Sequence, residues 1–289
     1  LRKSADRVVV IVGASSGIGR ATAHSFAGTG ARLVLAARSD LTEVAAECAV
    51  FGAEVLTVHT DIAESAGAVV DAALERFGRI DVWVGAASVF AYGTVEQVPI
   101  ETYQRMLEVN LLGHIRGAKA VLPVMAEQGC GSIVLIGSLF SRMTMPYVSA
   151  YVTTKHGLLG FADTLRMEAR PLGVHVSCVL PATVDTPIYQ KAANYTGREG
   201  RPLPPYVDAA RVARAIVAVV RRPRAHRVVG GTQRLTVPLQ RLLGPLYDRM
   251  ALAVMNRRGL GDAGVPPTDG AVFGPLPASN AVSGGWREP

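Results

Sequence analysis

What constrains this chain most is an alternation. Short runs rich in β-branched residues recur at 7–13 (RVVVIVG), 31–38 (ARLVLAAR), 54–61 (EVLTVHTD), 80–87 (IDVWVGAA), 131–138 (GSIVLIGS) and 174–181 (VHVSCVLP). Between them lie segments of helical period at 17–29, 40–51, 64–77, 101–128 and 150–170. The short runs are apolar at nearly every position rather than at every second one. That suits strands covered on both faces of a parallel sheet. The repetition predicts an α/β fold, a doubly wound parallel sheet with right-handed crossovers. A further short strand is expected at 226–231.

The sheet and its helices are expected to occupy 5–232 as a single domain. A polar, Gly/Pro-rich stretch near 190–207 reads as a mobile loop, and a helix is expected to begin near Asp208. Leu239, Leu242, Leu243, Leu246, Met250 and Val254 then repeat at helical spacing, so 233–258 reads as an amphipathic helical extension. Residues 259–289 are rich in Gly, Pro and Ala and are expected to form an extended or partly disordered tail. With 49% apolar and 18% charged residues, a large core is available and general disorder is excluded.

No apolar run is long enough for a membrane-spanning helix. The first apolar run passes straight into a glycine-rich turn, so it reads as a strand rather than a signal peptide. Cys48, Cys130 and Cys178 are widely spaced, which suits reduced thiols in the cytoplasm. His24, His59, His114, His156, His175 and His226 form no ligand-spaced cluster, so no metal is expected. The charge of +7 is uneven, because residues 198–258 hold thirteen Arg against Glu199, Asp208 and Asp248. No aromatic platform accompanies them, so nucleic acid is not expected as a partner. Arg234, Arg241, Arg249, Arg257 and Arg258 border the apolar stripe of the extension. A membrane-surface contact through 235–258 is therefore open, although a cover for the substrate pocket or a subunit contact is the preferred reading.

The first predicted strand runs into VGASSGIG (12–19), which opens a helix. Gly13, Gly17 and Gly19 allow a tight turn and close approach of a pyrophosphate to backbone N–H groups at the helix N-terminus. At the end of the second strand, where a carboxylate would take a ribose 2′-hydroxyl, the chain reads Ala37-Arg38-Ser39. Arg38 with Ser15 and Ser39 makes a small anion site, which favours NADP(H) over NAD(H). Asp61 reads either as an acceptor for the adenine amino group, with Ile62 N–H beside it, or as the N-cap of the next helix.

With VGASSGIG, Asn110 in VNLLG, Ser138, and Tyr151 and Lys155 in YVTTK, the sequence resembles the short-chain dehydrogenase/reductase family over residues 7–190. The resemblance implies a Rossmann-type domain that moves hydride between a nicotinamide and a carbonyl or secondary alcohol, as a homodimer or homotetramer. It implies a catalytic set of Asn110, Ser138, Tyr151 and Lys155. The implied cofactor contacts add Ser16, Ile18, Ala87, Pro181, Thr183, Val184 and Thr186 to the residues already named, Asn110, Tyr151 and Lys155 among them. Three departures stand out: Val12 for a usual Thr, Gly85-Ala86-Ala87-Ser88 for Asn-Asn-Ala-Gly, and Ala182 for Gly. The second is expected to leave a looser strand end with Ser88 at the pocket wall.

In physical terms, Lys155 one turn from Tyr151 and a cationic oxidised nicotinamide are both expected to lower the phenol pKa, so that Tyr151 serves as general acid and base. Ser138 is expected to polarise the substrate oxygen, and the resemblance implies that Asn110 holds a water linking Lys155 to solvent. Phe90, Leu139, Phe140, Met143, Met145, Tyr147, Ile188 and Tyr189, with Ser88, are expected to form a pocket for a lipophilic substrate. A dinucleotide-sensing protein without catalysis is the alternative, and the intact Ser138, Tyr151 and Lys155 speak against it.

Overall fold

The computed structural model describes residues 6–276 and 280–287, with the side chains of 232, 234 and 241 excepted. Arg234 and Arg241, two of the cations expected beside the apolar stripe, therefore lie outside the described side chains. So do residue 5 of the expected 5–232 domain and residues 277–279, 288 and 289 of the expected 259–289 tail.

Seven strands form one parallel sheet: β1 (Val8–Val12), β2 (Arg32–Ala37), β3 (Val55–His59), β4 (Val82–Gly85), β5 (Gly131–Ile136), β6 (Val174–Pro181) and β7 (His226–Val229). Their order is β3-β2-β1-β4-β5-β6-β7. β1 lies between β2 and β4, with Val10 beside both Val34 and Trp83. Chain order therefore reverses at β1, which opens a crevice at the carboxyl ends of the strands, where doubly wound sheets place their ligands. All five residues of β1 are buried, as continuous apolar strands require when helices cover both faces.

On one face, α1 (Gly17–Ala27) and α7 (Ala209–Arg221) pack Phe26, Val212 and Ile216 against Leu33 and Leu35. On the other, α3 (Ile62–Phe77), α5 (Gly113–Glu127) and α6 (Ser149–Ala169) pack Val69, Val121 and Leu158 around Trp83, Ile133 and Leu135. α2 (Thr42–Val50) borders α1, and α4 (Ile100–Leu107) joins α5 through a π-helical turn, Glu108–Leu112. Two caps fall where the sequence places them. Asp61 Oδ1 accepts from Ala63 N (2.9 Å) and Asp208 Oδ1 from Ala210 N (2.8 Å), each satisfying a helix-start donor.

Two expectations need correction. The 190–207 stretch is not an open loop. Ala193–Asn194 pairs with Ala91–Tyr92, and Val207–Asp208 with Val184–Asp185. The described tail is extended but tied down. Leu260–Ala263 pairs with Arg198–Gly200, and Asn194 and Thr268 exchange backbone bonds of 2.8 and 3.0 Å. The extension forms α8 (Thr236–Leu243) and α9 (Pro245–Val254), which Gly244 breaks at φ +48°. No helix among the described residues is long and apolar enough to cross a membrane.

Candidate active site

The crevice holds a cavity of about 470 Å³, within the range of small-molecule and cofactor sites. Gly13, Ser15, Ser16, Gly17, Ile18 and Gly19 line it from the β1–α1 turn. Arg38, Ser39, Asp61 and Ile62 line it from the ends of β2 and β3, and Ala87 from the end of β4. Pro181, Thr183, Val184 and Thr186 close the side beyond β6. Ser138, Tyr151 and Lys155 meet there, with Ser88, Phe90, Leu139, Phe140, Met143, Met145, Ile188 and Tyr189 on the wall. Asn110 and Tyr147 do not line the cavity. Tyr147 turns away, donating to Asn256 Oδ1 (2.8 Å) from a backbone at φ +66°.

The glycines are required by contact. A Cβ on Gly13 would lie 2.5 Å from Ala87 N, and one on Gly19 would fall on the Gly13 carbonyl. Gly13 and Gly17 also hold φ of +84° and +53°, a region that side chains disfavour. The turn can be this tight only without side chains, and its tightness brings backbone N–H groups to the cavity wall.

Ser138 ends β5 in extended backbone and caps a short turn, its Oγ accepting from Phe140 N (3.1 Å). Tyr151 and Lys155 lie on successive turns of α6, which packs on β6 and on that short turn. Lys155 is 1% exposed. Its Nζ donates to Ile136 O (2.9 Å) and stands 5.3 Å from the Tyr151 ring centroid. Burial pulls the ammonium pKa down to about 8, against a smaller opposing effect of Cys178. Burial raises the Tyr151 phenol well above its ordinary value, and hydrogen bonds with Ser138 and Ser88 only partly oppose it. In the protein alone desolvation of the phenolate sets the direction, opposite to the lowering expected with Lys155 and an oxidised nicotinamide together, and the Lys155 proton faces a carbonyl rather than the hydroxyl.

Asn110 lies in the π-helical turn, fully buried. Such turns release a residue from regular helical bonding and recur at functional sites. Its Oδ1 accepts from Val89 N (2.8 Å) and Ser88 Oγ (3.2 Å). Its Nδ2 donates to Val89 O (2.9 Å) and Thr154 Oγ1 (3.3 Å). The amide spends its hydrogen-bonding capacity joining the β4 end to α6. The expected looseness after β4 is therefore overturned. His114 adds a second brace, Nε2 donating to Ala87 O (2.9 Å). Its ring occupies the space where Gly85 would carry a side chain, since a Cβ there would lie 2.6 Å from Nδ1. His114 could have been suspected from the sequence only through the unusual glycine that faces it.

Asp61 serves as the α3 N-cap, and its other oxygen is taken by Arg105, with Arg38 3.7 Å away. Arg38 is held by the tail, donating to Ala271 O (2.8 Å) and Val272 O (3.3 Å). Ala271, Pro275 and Leu276 themselves line the cavity, which the low-complexity tail gave no sign of. The helical extension lines it too, through Leu239, Tyr247, Met250 and Val254, while Leu242 stays 81% exposed.

Residues 7–196 match the family model described as short chain dehydrogenase. The chain belongs to the short-chain dehydrogenase/reductase family and is an oxidoreductase of that type, acting on alcohol or carbonyl groups. It is 32% identical over 267 residues to an uncharacterized oxidoreductase, YxnA, of Bacillus subtilis, spanning 88% of this chain and 74% of that one. An alcohol dehydrogenase from the archaeon Thermococcus sibiricus, solved with 5-hydroxy-NADP, is 32% identical with a TM-score of 0.67, covering 77% of this chain and 94% of that one. A short-chain dehydrogenase/reductase from Burkholderia phymatum, solved with NAD, shares the fold at TM-score 0.76 and 24% identity, covering 93% of this chain and all of that one.

Proposed function

We propose that this protein transfers hydride between NADP(H) and a lipophilic ketone or secondary alcohol, with Tyr151 as general acid and base. The observation that carries the reading is the convergence of Ser138, Tyr151 and Lys155 on a single cavity. The glycine turn forms one end of that cavity and aromatic and aliphatic side chains the other. The turn fits a dinucleotide, because the cradle that a Cβ would fill lies against helix-start N–H groups suited to phosphate. Relatives solved with NAD and with an NADP derivative fit the same cofactor class.

A bound nicotinamide supplies or accepts the hydride. The chain's own residues supply the rest. Tyr151 gives its hydroxyl proton to the carbonyl oxygen in reduction, and in oxidation its phenolate would take the proton of the alcohol. Ser138 donates to the same oxygen and polarises it. Lys155 places a positive charge beside the Tyr151 ring, and Asn110 keeps β4 and α6 in register through Val89 and Thr154.

For the 2′-phosphate reading, β2 ends without a carboxylate and two guanidiniums, Arg38 and Arg105, gather on the single carboxylate of Asp61. That leaves a net positive end to the cavity. The aromatic wall favours a lipophilic substrate, since Phe90 lies 4.6 Å from the Tyr151 ring and 5.6 Å from that of Tyr189. Free Cys48, Cys130 and Cys178 suit the cytoplasm. Exposed Leu242, Leu246 and Leu252 offer a face for a homodimer or homotetramer.

The test splits chemistry from binding. Tyr151→Phe should lower kcat on lipophilic ketones by about 10²–10⁴-fold while the NADPH Kd changes less than about threefold. Parallel loss of both, or full activity in the variant, would remove Tyr151 from the proton-transfer role.

A further inference from the structure

The C-terminal stretch does more than end the chain. Its described residues are fastened to the walls of the crevice as two anchored legs, 268–276 and 280–287. The first leg, 268–276, follows the Asn194–Thr268 pairing and is held by Ala271 N donating to Lys191 O (2.8 Å). Val272 is fully buried, and its carbonyl accepts from Arg38 and Arg105 (3.3 and 3.4 Å). This leg lies over the end of β2, against the guanidinium assigned above to a 2′-phosphate.

The second leg, 280–287, runs from α1, beside the end of β2, to Asp185 beyond β6. Asn280 Oδ1 accepts from Lys191 Nζ (3.2 Å), and the Asn280 carbonyl accepts from Arg20 of α1. Ala281 O takes the Gly17 N–H at 3.0 Å, a first-turn donor of α1 and the kind of group that phosphate seeks. Asp185 then fastens the end, accepting from Ser283 Oγ (2.8 Å), Gly284 N (2.9 Å) and Trp286 N (3.0 Å). Trp286 stacks edge-on to Tyr189 of the substrate wall, centroids 6.3 Å apart.

These contacts have a common character. They use backbone carbonyls and short polar side chains, and only Val272 is deeply buried on the first leg. Many hydrogen bonds with little apolar burial make a segment that can open locally without unfolding the core. Two of its acceptors sit on Arg38, and a third on Gly17 N–H, both groups that a phosphate would also seek.

We propose that the two legs, 268–276 and 280–287, form a strap over the adenosine half of the site, which must lift to admit the dinucleotide and then closes over it. The proposal rests on the dinucleotide reading above. The strap competes for Arg38 and Gly17 during entry, and its closure encloses the bound cofactor, so association and release both become limited by its opening.

The test is stopped-flow binding and displacement of NADPH on three proteins: the full chain, a chain ending at residue 264, and full-length Gly270→Val/Gly284→Val. The double variant unseats the legs without removing them. A Cβ at 270 falls on the Lys191 carbonyl, and one at 284 lies 2.6 Å from Thr186 O. In the full chain the observed association rate should level off with rising NADPH at the opening rate. Both variants should show a linear dependence and release NADPH at least tenfold faster. Linear dependence and equal release rates in all three proteins would overturn the strap. Failure of both NADPH and NADH to bind any of the three, with circular dichroism showing them folded, would instead overturn the dinucleotide reading beneath it. Binding to the truncated chain but not to the full chain would overturn the lifting strap, because the segment would then be a fixed block.

Discussion

Tyr151 and Lys155 stand one turn apart on α6, and both are deeply buried beneath the cavity. Their pKa values are moved apart by the same cause, loss of water, since desolvation lowers an ammonium and raises a phenol. His114 follows the same rule. Burial first, and Lys155 second, draw its imidazole down to about 4, so it is neutral in the folded protein at pH 7. The unfolded chain binds this proton below about pH 6.5. The stability tied to His114 is therefore present above that pH and is lost as pH falls toward 4. A shift of that size corresponds to about 3 kcal/mol. Urea titrations should find His114→Gln more destabilising at about pH 7 than at about pH 4.5; a cost independent of pH would mean that the ring does not titrate on unfolding. The ring also fixes its neighbour. Gly85→Ala should destabilise by about 1–3 kcal/mol through overpacking, and most of that cost should vanish in a His114→Ala background. Additive effects would show that the two do not share the space.

At the scale of elements, the π-helical turn Glu108–Leu112 turns a side chain out of a long helix to join a strand end and a catalytic helix. Asn110→Leu removes the partners of the buried Val89 N–H and C=O, and each unsatisfied group costs about 1–3 kcal/mol. The midpoint of chemical denaturation should fall accordingly, and activity should fall further than cofactor binding. An unchanged midpoint would contradict the brace. The strands and most helices were legible in the sequence, because continuous β-branched runs and helical periods leave little choice of element. The glycine turn and the order Ser138, Tyr151, Lys155 were legible for a chemical reason: each role needs one residue type at one place. What the sequence concealed were interactions between distant positions. Only the unusual Gly85 hints at His114, and nothing in a Gly/Pro/Ala tail signals that its carbonyls will meet Arg38. Spacing places the ammonium beside Tyr151 but says nothing of the desolvation around both groups.

At the scale of the molecule, the sheet reversal at β1 places the glycine turn, Arg38 and the catalytic groups along one crevice. The helical extension and the strap then wall it in. The +7 charge is carried largely by the C-terminal third, and two of the cations that matter to the cofactor reading, Arg38 and Arg105, lie outside that third. Arg38→Ala should therefore weaken NADPH at least tenfold more than NADH in a binding titration, and equal losses would remove Arg38 from the phosphate site. The most direct test of the central claim, that this crevice is an NADP(H) site built on the glycine turn, is a thermal-shift titration of the purified full chain with each cofactor. A ligand bound only by the folded state stabilises it by about 2.7 kcal/mol at a hundredfold excess over Kd. A rise in Tm with NADPH and little or none with NADH is the predicted result. An unmoved Tm with both would contradict the account, and a larger rise with NADH would overturn its choice of cofactor.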